Sequence, residues 1–561
     1  MGSKIQVGWS QRDITPDGAV SLHGQFNLRI ATRVHDPLTL TVLALQSGDD
    51  HVVMVSVDAC SVNKDVLSAV RAALAERLPD LDPGKLIISA THTHTGPFNG
   101  GAGWQKDDEY LDAIRARYPD YVTVAEYTAL LTEALVAAVC EAWERRTEGY
   151  IGWGYAHAVI GENRRVRYFD DSAKMYGSTS VPEFSHIEGH VDHGVNLLFT
   201  YDGAQNLTGV LVNLACPSQA SESGQDFVSA DYWHDTREEL RRRYGAGLFV
   251  LPQCSAAGDQ SPHRLIAKAA EDRMLQLKYG GGVGRPLSAA LRTEIAHRLA
   301  DAMDDAEPAV RKDLHDEAVR QHETRTLELE HWNVTPAEYA TLQEQIADAE
   351  KRLAELGDVD RLSGEYTSLR SHITWCQRAV DRYEHPVSSV PNDVNVLRLG
   401  DIAFVTAPFE YYLDYGDRIK GRSPALQTFV VQLVVGGPYL ATERAAQGLS
   451  YGAVPPAAKC RPPAASSSLT RRLPYWRACS LPSESPPTVA EGQADEIPQT
   501  EILARMAELP KDKLLVCPRS AASATTAATI IASTSARFSR SWPTRMSRPG
   551  GSPNARRRLH L

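Results

Sequence analysis

The 561-residue sequence has no apolar run long enough to cross a membrane or serve as a secretory leader. The expected location is therefore the cytoplasm. It also lacks a marked excess of either charge. The 59 basic and 70 acidic residues leave a net charge of −11, with both signs mixed along most of the chain. That argues against a basic nucleic-acid surface. Paired cysteines are missing too. Cys60, Cys140, Cys216, Cys254, Cys376, Cys460, Cys479 and Cys517 show no disulfide or metal-knuckle spacing, and read mostly as small buried apolar groups. What is present is a soluble globular composition, 43% hydrophobic and 23% charged, with length for one large domain plus appendages or for three ordinary domains.

The first three hundred residues alternate strand-like and helix-like stretches. Residues 51–58 read as a buried strand and 66–78 as an amphipathic helix. A second strand, 85–90, runs into a histidine segment, and a helix follows over 127–145 with Leu130, Leu131, Leu135 and Val139 on one face. Further strands are expected at 207–214, 248–251 and 394–407, the last a hairpin turning at Gly400-Asp401. This interleaving predicts an α/β architecture.

Residues 335–384 follow a different rule. Thr335-Pro336-Ala337-Glu338 is a helix start, and apolar residues then recur at three-and-four spacing through Leu342, Ile346 and Leu353. A second such series follows Gly357-Asp358, which predicts an inserted antiparallel helical hairpin packed on its own domain. Beyond about residue 455 the chain turns rich in Pro, Ser, Ala and Arg, so 456–561 reads as an irregular tail. Two origins are open: intrinsic disorder, or a frameshift. Codons compatible with residues 465–473 can encode Gln-Gln-Leu-Val-Asp-Glu-Ala-Ala one frame over, and that reading fits the first part better.

Four segments carry chemistry-bearing residues. Thr91-His92-Thr93-His94-Thr95-Gly96-Pro97 follows a strand, and alternate positions of an extended chain aim two imidazoles at one point. Gly258-Asp259-Gln260-Ser261-Pro262 follows the strand near 248–251 and offers a serine that needs a base or a metal to become a nucleophile. Ala407-Pro408-Phe409-Glu410 puts a carboxylate at a strand end, and Gly436-Gly437-Pro438-Tyr439 is a glycine-rich loop with a phenol. Taken singly, each has a bland reading: hydrogen-bonded surface histidines, a Ser-Pro turn, ordinary turn residues.

Together, and in this order, they resemble the catalytic domain of neutral (alkaline, non-lysosomal) ceramidases. Asp13-Ile14-Thr15-Pro16, Val34-His35-Asp36-Pro37 and Glu162-Asn163-Arg164 fit as well. The resemblance covers about residues 5–455 in segments. It implies a zinc-dependent hydrolase of an amide bond in an N-acyl substrate, lipid or other small molecule. It implies His92, Glu410 and Tyr439 as Zn2+ ligands, His94 beside the metal, Arg164 on the carbonyl, and Ser261 as nucleophile or positioning group.

The resemblance breaks at one place. Where the family has its second histidine ligand, this chain has Asn213-Leu214-Ala215-Cys216-Pro217, with proline at the histidine's position. Cys216 or His234 is the candidate replacement; the cluster His186, His190 and His193 is a further source. The departure motivates a competing reading, a ceramidase-like domain that binds a ligand without hydrolysing it. A third reading makes the helical hairpin the centre of an interaction protein.

Overall fold

Several of the longest strands are apolar at consecutive positions rather than at alternate ones, because both faces of their sheet are covered. The computed structural model describes residues 4–462, apart from 101–106, 223, 281–286 and 319. The central sheet comprises β1 (Ile5–Asp13), β2 (Thr39–Ser47), β3 (Asp50–Val57), β4 (Leu86–Ala90), β5 (Thr147–His157), β6 (Gly194–Asp202), β7 (Leu207–Leu214) and β8 (Phe249–Cys254). Their order is β8-β7-β6-β5-β1-β2-β3-β4. Pairing is antiparallel except at the two edges, where β3 runs parallel to β4 and β7 to β8.

One face of this sheet buries α1 (Lys64–Arg77) and α2 (Val124–Glu144) over β2–β4, and α3 (Tyr232–Tyr244) and α4 (Leu287–Val310) over β6–β8. Alternation is still legible inside β2: Leu40, Val42 and Ala44 meet the helices, while Leu43 and Leu45 point the other way. There they meet a second sheet of β9 (Arg320–Glu330), β10 (Ser389–Leu399), β11 (Ile402–Thr406) and β12 (Gln427–Val431), ordered as numbered. Leu397, Leu399, Ile402, Phe404, Phe429 and Val431 supply its half of the shared core. The result is an α/β fold of three layers, helices on sheet on sheet. The turn between β10 and β11 falls at Gly400, whose φ of +58° suits glycine.

Between β9 and β10 the chain forms α5 (Pro336–Glu355) and α6 (Gly364–Glu384). A full capping box at Thr335 and Glu338 starts α5, as the sequence predicts. Leu342 and Ile346 pack on Cys376, Ala379 and Val380. The rings of Tyr339 and Tyr383 stack at 4.2 Å, so the two helices run antiparallel. The pair also grips the rest of the molecule: the Leu28 N–H donates to Thr367, and Arg117 pairs with Asp360. The chain stays packed as far as Arg461, whose N–H donates to the Glu330 carbonyl. The remainder of the expected tail lies outside the described residues.

Candidate metal centre

The second sheet has its own parallel pair, β11 with β12. Among the described residues the two large sheets therefore hold three parallel pairs, and the segments leaving their carboxyl ends gather at one place. Such ends, unpaired and open to a crevice, are where α/β sheets bind ligands. Hydrogen bonds tie the three together: Ala90 N–H to Leu433 O, Gln432 N–H to Cys254 O, and Ser218 Oγ to Thr91 O at 2.8 Å.

The histidine segment leaves β4 with a kink. His92 has a φ of +65°, a left-handed conformation that strains a side-chain-bearing residue and persists only where its surroundings hold it. Its N–H donates to Ala59 O, while Thr93 and Thr95 both donate to the Ser229 carbonyl. Strand alternation, expected from the sequence, is therefore not what pairs the two histidines. His92 and His94 do come together, with rings 5.0 Å apart, but through this kink beyond the strand's end.

His92 Nε2 lies 3.3 Å from Glu410 Oε2, and its Nδ1 lies 2.6 Å from the Cys60 carbonyl. Glu410 and Tyr439 are neighbours because the short strands Glu410–Tyr411 and Tyr439–Leu440 pair in parallel, residue on residue. Burial, reinforced by the Glu410 carboxylate, pushes the Tyr439 hydroxyl well up, which keeps it a neutral donor. Arg164 reaches Tyr439 Oη at 3.1 Å, Gly258 O at 2.9 Å and Gln219 Oε1 at 3.3 Å, with Glu410 4.0 Å away. Burial works against its charge, but Tyr439, Tyr176 and Glu410 outweigh that cost.

Ser261 sits in a two-residue strand paired with Glu162–Asn163, next to Arg164. Its Oγ lies 3.1 Å from the Tyr176 hydroxyl and accepts the His263 N–H. Gly258 makes this arrangement possible. A Cβ there would stand 2.6 Å from the Glu410 carbonyl oxygen, so only glycine lets the serine loop reach the Glu410 strand.

His94 is held from the segment where proline replaces the expected histidine. Gln219 Oε1 accepts from Arg164, so its Nε2, 2.8 Å from His94 Nε2, donates there. The His94 Nδ1–H then faces Glu222 Oε2 at 3.3 Å. Burial would raise the Glu222 carboxyl, but the His94 hydrogen bond, with the Arg164 guanidinium nearby, lowers it to about 2. Buried Asp231, with φ +56°, accepts from the Ala220 and Ser221 N–H groups and fixes this segment. Gly24 closes the far side, with its Cβ position 2.4 Å from His94 Cγ.

All six residues singled out in the sequence therefore meet in one cluster, and none is more than 9% exposed. Two expectations about the missing ligand are not met. Among the described residues, the group able to hold a metal is Cys60, His92 and His94, each offering one donor atom, all within 4.8 Å of one another. Neither Cys216 nor His234 is in it, and neither is the His186–His193 group. Cys216 packs among Val212, Leu214 and Trp233 beneath the helices, where burial, with Cys254 and Asp231 nearby, drives its thiol far up. His190 pairs instead with Asp417. Cys60 is the residue sequence reasoning missed. Its signal was slight: a metal-binding residue type three positions beyond a strand parallel to the one that leads to His92.

No family model and no curated protein matches the sequence. Solved structures do. The neutral ceramidase from Pseudomonas aeruginosa superposes with a TM-score of 0.57 and 15% identity over 80% of this chain and 71% of its own. A ceramidase complexed with C2 gives the same score and identity over 82% and 72%. At that identity the superposition shows the fold alone: the chain has a fold similar to that of these neutral ceramidase structures.

Proposed function

We propose that the protein is a metal-dependent hydrolase of a linear amide bond in an N-acyl substrate, ceramide-like or related. One observation carries this reading. Imidazole, carboxylate, phenol, guanidinium and serine hydroxyl, drawn from five separate segments, converge in a single buried cluster. Unreactive cores do not gather such groups at a cost in desolvation.

The donor chemistry fits zinc. With Nδ1 against a backbone carbonyl, His92 has Nε2 free to ligate, the usual arrangement for a metal-bound histidine. Glu410 and Tyr439 are the further ligands that the family resemblance implies. A bound zinc ion supplies Lewis-acid polarisation of the carbonyl and a more acidic water. The remaining roles belong to side chains. Arg164 donates to the oxygen on which negative charge develops. His94, oriented by Glu222, accepts the proton of the attacking water at Nε2 and returns it to the leaving nitrogen as the C–N bond breaks. Products are a carboxylate and an amine. Ser261 contacts a tyrosine hydroxyl and a backbone N–H rather than an imidazole, which favours positioning the amide over attacking it.

A cluster of aromatic rings beside Tyr439 supports an acyl-chain substrate. Tyr451 lies against Tyr439 at 5.5 Å, and Phe26 and Trp375 continue outward at 5.8 and 6.1 Å from Tyr451. Trp375 comes from α6, so the helical hairpin contributes to this aromatic cluster. The test is release of fatty acid from a panel of N-acyl amines by the wild type, His92→Ala and Ser261→Ala. Chelator-sensitive hydrolysis, lost in His92→Ala, is expected. Pro217 favours the second reading, ligand binding without turnover. Thermal stabilisation by the same compounds with no product formed, even after metal loading, would establish it.

A further inference from the structure

His92 is flanked on both sides by segments leaving other strands. On one side runs the segment after β7, where Ser218 bonds to Thr91 and Pro217 stands in place of a donor. On the other runs Asp58-Ala59-Cys60, leaving β3. Ala59 O accepts the His92 N–H at 2.9 Å, Cys60 O lies 2.6 Å from His92 Nδ1, and Cys60 Sγ stands 3.9 Å from that nitrogen.

We propose that Cys60 is a metal ligand, so that the donor absent at Pro217 is supplied from the opposite flank of His92. This rests on the reading that a metal is held at His92, and adds to it a thiolate and therefore a softer site. Cys60 belongs with His92 and His94 to a group whose donor atoms lie within 4.8 Å of one another, so an ion at His92 is in reach of the sulfur while His94 keeps its proton-transfer role. With bonds of about 2.3 Å to sulfur and about 2.0 Å to nitrogen, tetrahedral zinc sets its sulfur and nitrogen ligands roughly 3.5 Å apart. Donor atoms that lie within 4.8 Å of one another reach that spacing with a movement of about 1 Å.

The cysteine's placement is built. The Arg237 guanidinium grips Asp58 with two bonds of 2.7 and 3.1 Å, and the Asp58 carboxylate also accepts the Thr39 N–H. Both charged groups are fully buried, so α3 fixes the backbone two residues before the thiol. His23 is within hydrogen-bonding reach of the sulfur.

The direct test is X-ray absorption at the zinc edge on the full-length, zinc-loaded wild type. One sulfur scatterer at about 2.3 Å is expected. A shell of only nitrogen and oxygen overturns the inference and leaves the hydrolase reading intact, provided hydrolysis persists. Failure of the wild type to bind zinc overturns both. Cobalt substitution gives an independent readout. The wild type and Cys216→Ala should show a thiolate-to-cobalt charge-transfer band, and Cys60→Ser should lose it, with zinc affinity falling by about 100-fold or more. Cys60→Ser retaining wild-type affinity and spectrum would also overturn the proposal.

Discussion

Cys60 and Cys216 have the same local address. Each follows a long apolar strand that forms one half of a parallel pair, each is almost wholly buried, and neither pairs with another cysteine. Their surroundings differ completely. Cys216 faces the helices, among Val212, Leu214 and Trp233, and burial drives its thiol far up. Burial opposes ionisation at Cys60 as well, but His23, His92 and His94 outweigh it and hold the thiol well below the ordinary range. Burial alone therefore does not make a cysteine inert. Which side of the sheet's end its side chain meets decides that.

The largest break in this comparison should come from His92. His92→Ala is expected to lower hydrolysis by about 1,000-fold or more, since it removes the proposed ligand at the cluster's centre. Cys216→Ala should leave kcat/KM within about twofold of wild type and lower stability by about 1 kcal/mol, read by urea unfolding. A matching loss of activity in Cys216→Ala would erase the distinction.

The next effect concerns position. Gly24→Ala puts a methyl 2.4 Å from the His94 ring and is expected to cost about 100-fold in kcat. Circular dichroism should show the fold retained. Arg237→Leu strips the buried partner from Asp58 and should destabilise the protein by about 3–5 kcal/mol. Metal affinity, measured by competition with a chelating dye, should fall with it.

The smallest effect is pH-dependent. Glu222 has its carboxyl lowered from 4.5 to about 2, so its contribution to stability is complete above about pH 4.5 and fades as pH falls toward 2. Glu222→Gln should therefore be less stable than wild type at pH 6 by roughly 2–3 kcal/mol, and the two should converge near pH 2. A difference independent of pH would show that the carboxylate's charge does not matter there.

Much of the site was legible before the structure. The histidine and serine segments were visible at strand ends, while the glutamate and tyrosine segments gained meaning only from the order of all four and the family they resemble. Periodicity and capping located the helical hairpin, because Thr335 and Glu338 act within one turn. What escaped was non-local. Nothing in the spacing of Cys60 and His92 states that β3 and β4 are adjacent and parallel, and that pairing alone brings the two together. Gln219, Glu222 and Tyr176 stand in irregular loops without a periodic signature, and reach His94 and Ser261 only because Asp231 and Arg164 hold those loops in place. The left-handed turn at His92 was equally hidden, since it depends on the Ala59 and Cys60 carbonyls rather than on any glycine.

The account's central claim is that this cluster hydrolyses an amide with a bound metal. The most direct measurement is fatty-acid release from an N-acyl amine by purified protein, before chelation, after chelation and after zinc is restored. The account predicts turnover that disappears on chelation, returns with about one zinc per chain and never appears in His92→Ala. Turnover unchanged by complete metal removal, or zinc-loaded protein that binds the substrate and leaves it intact, would contradict it.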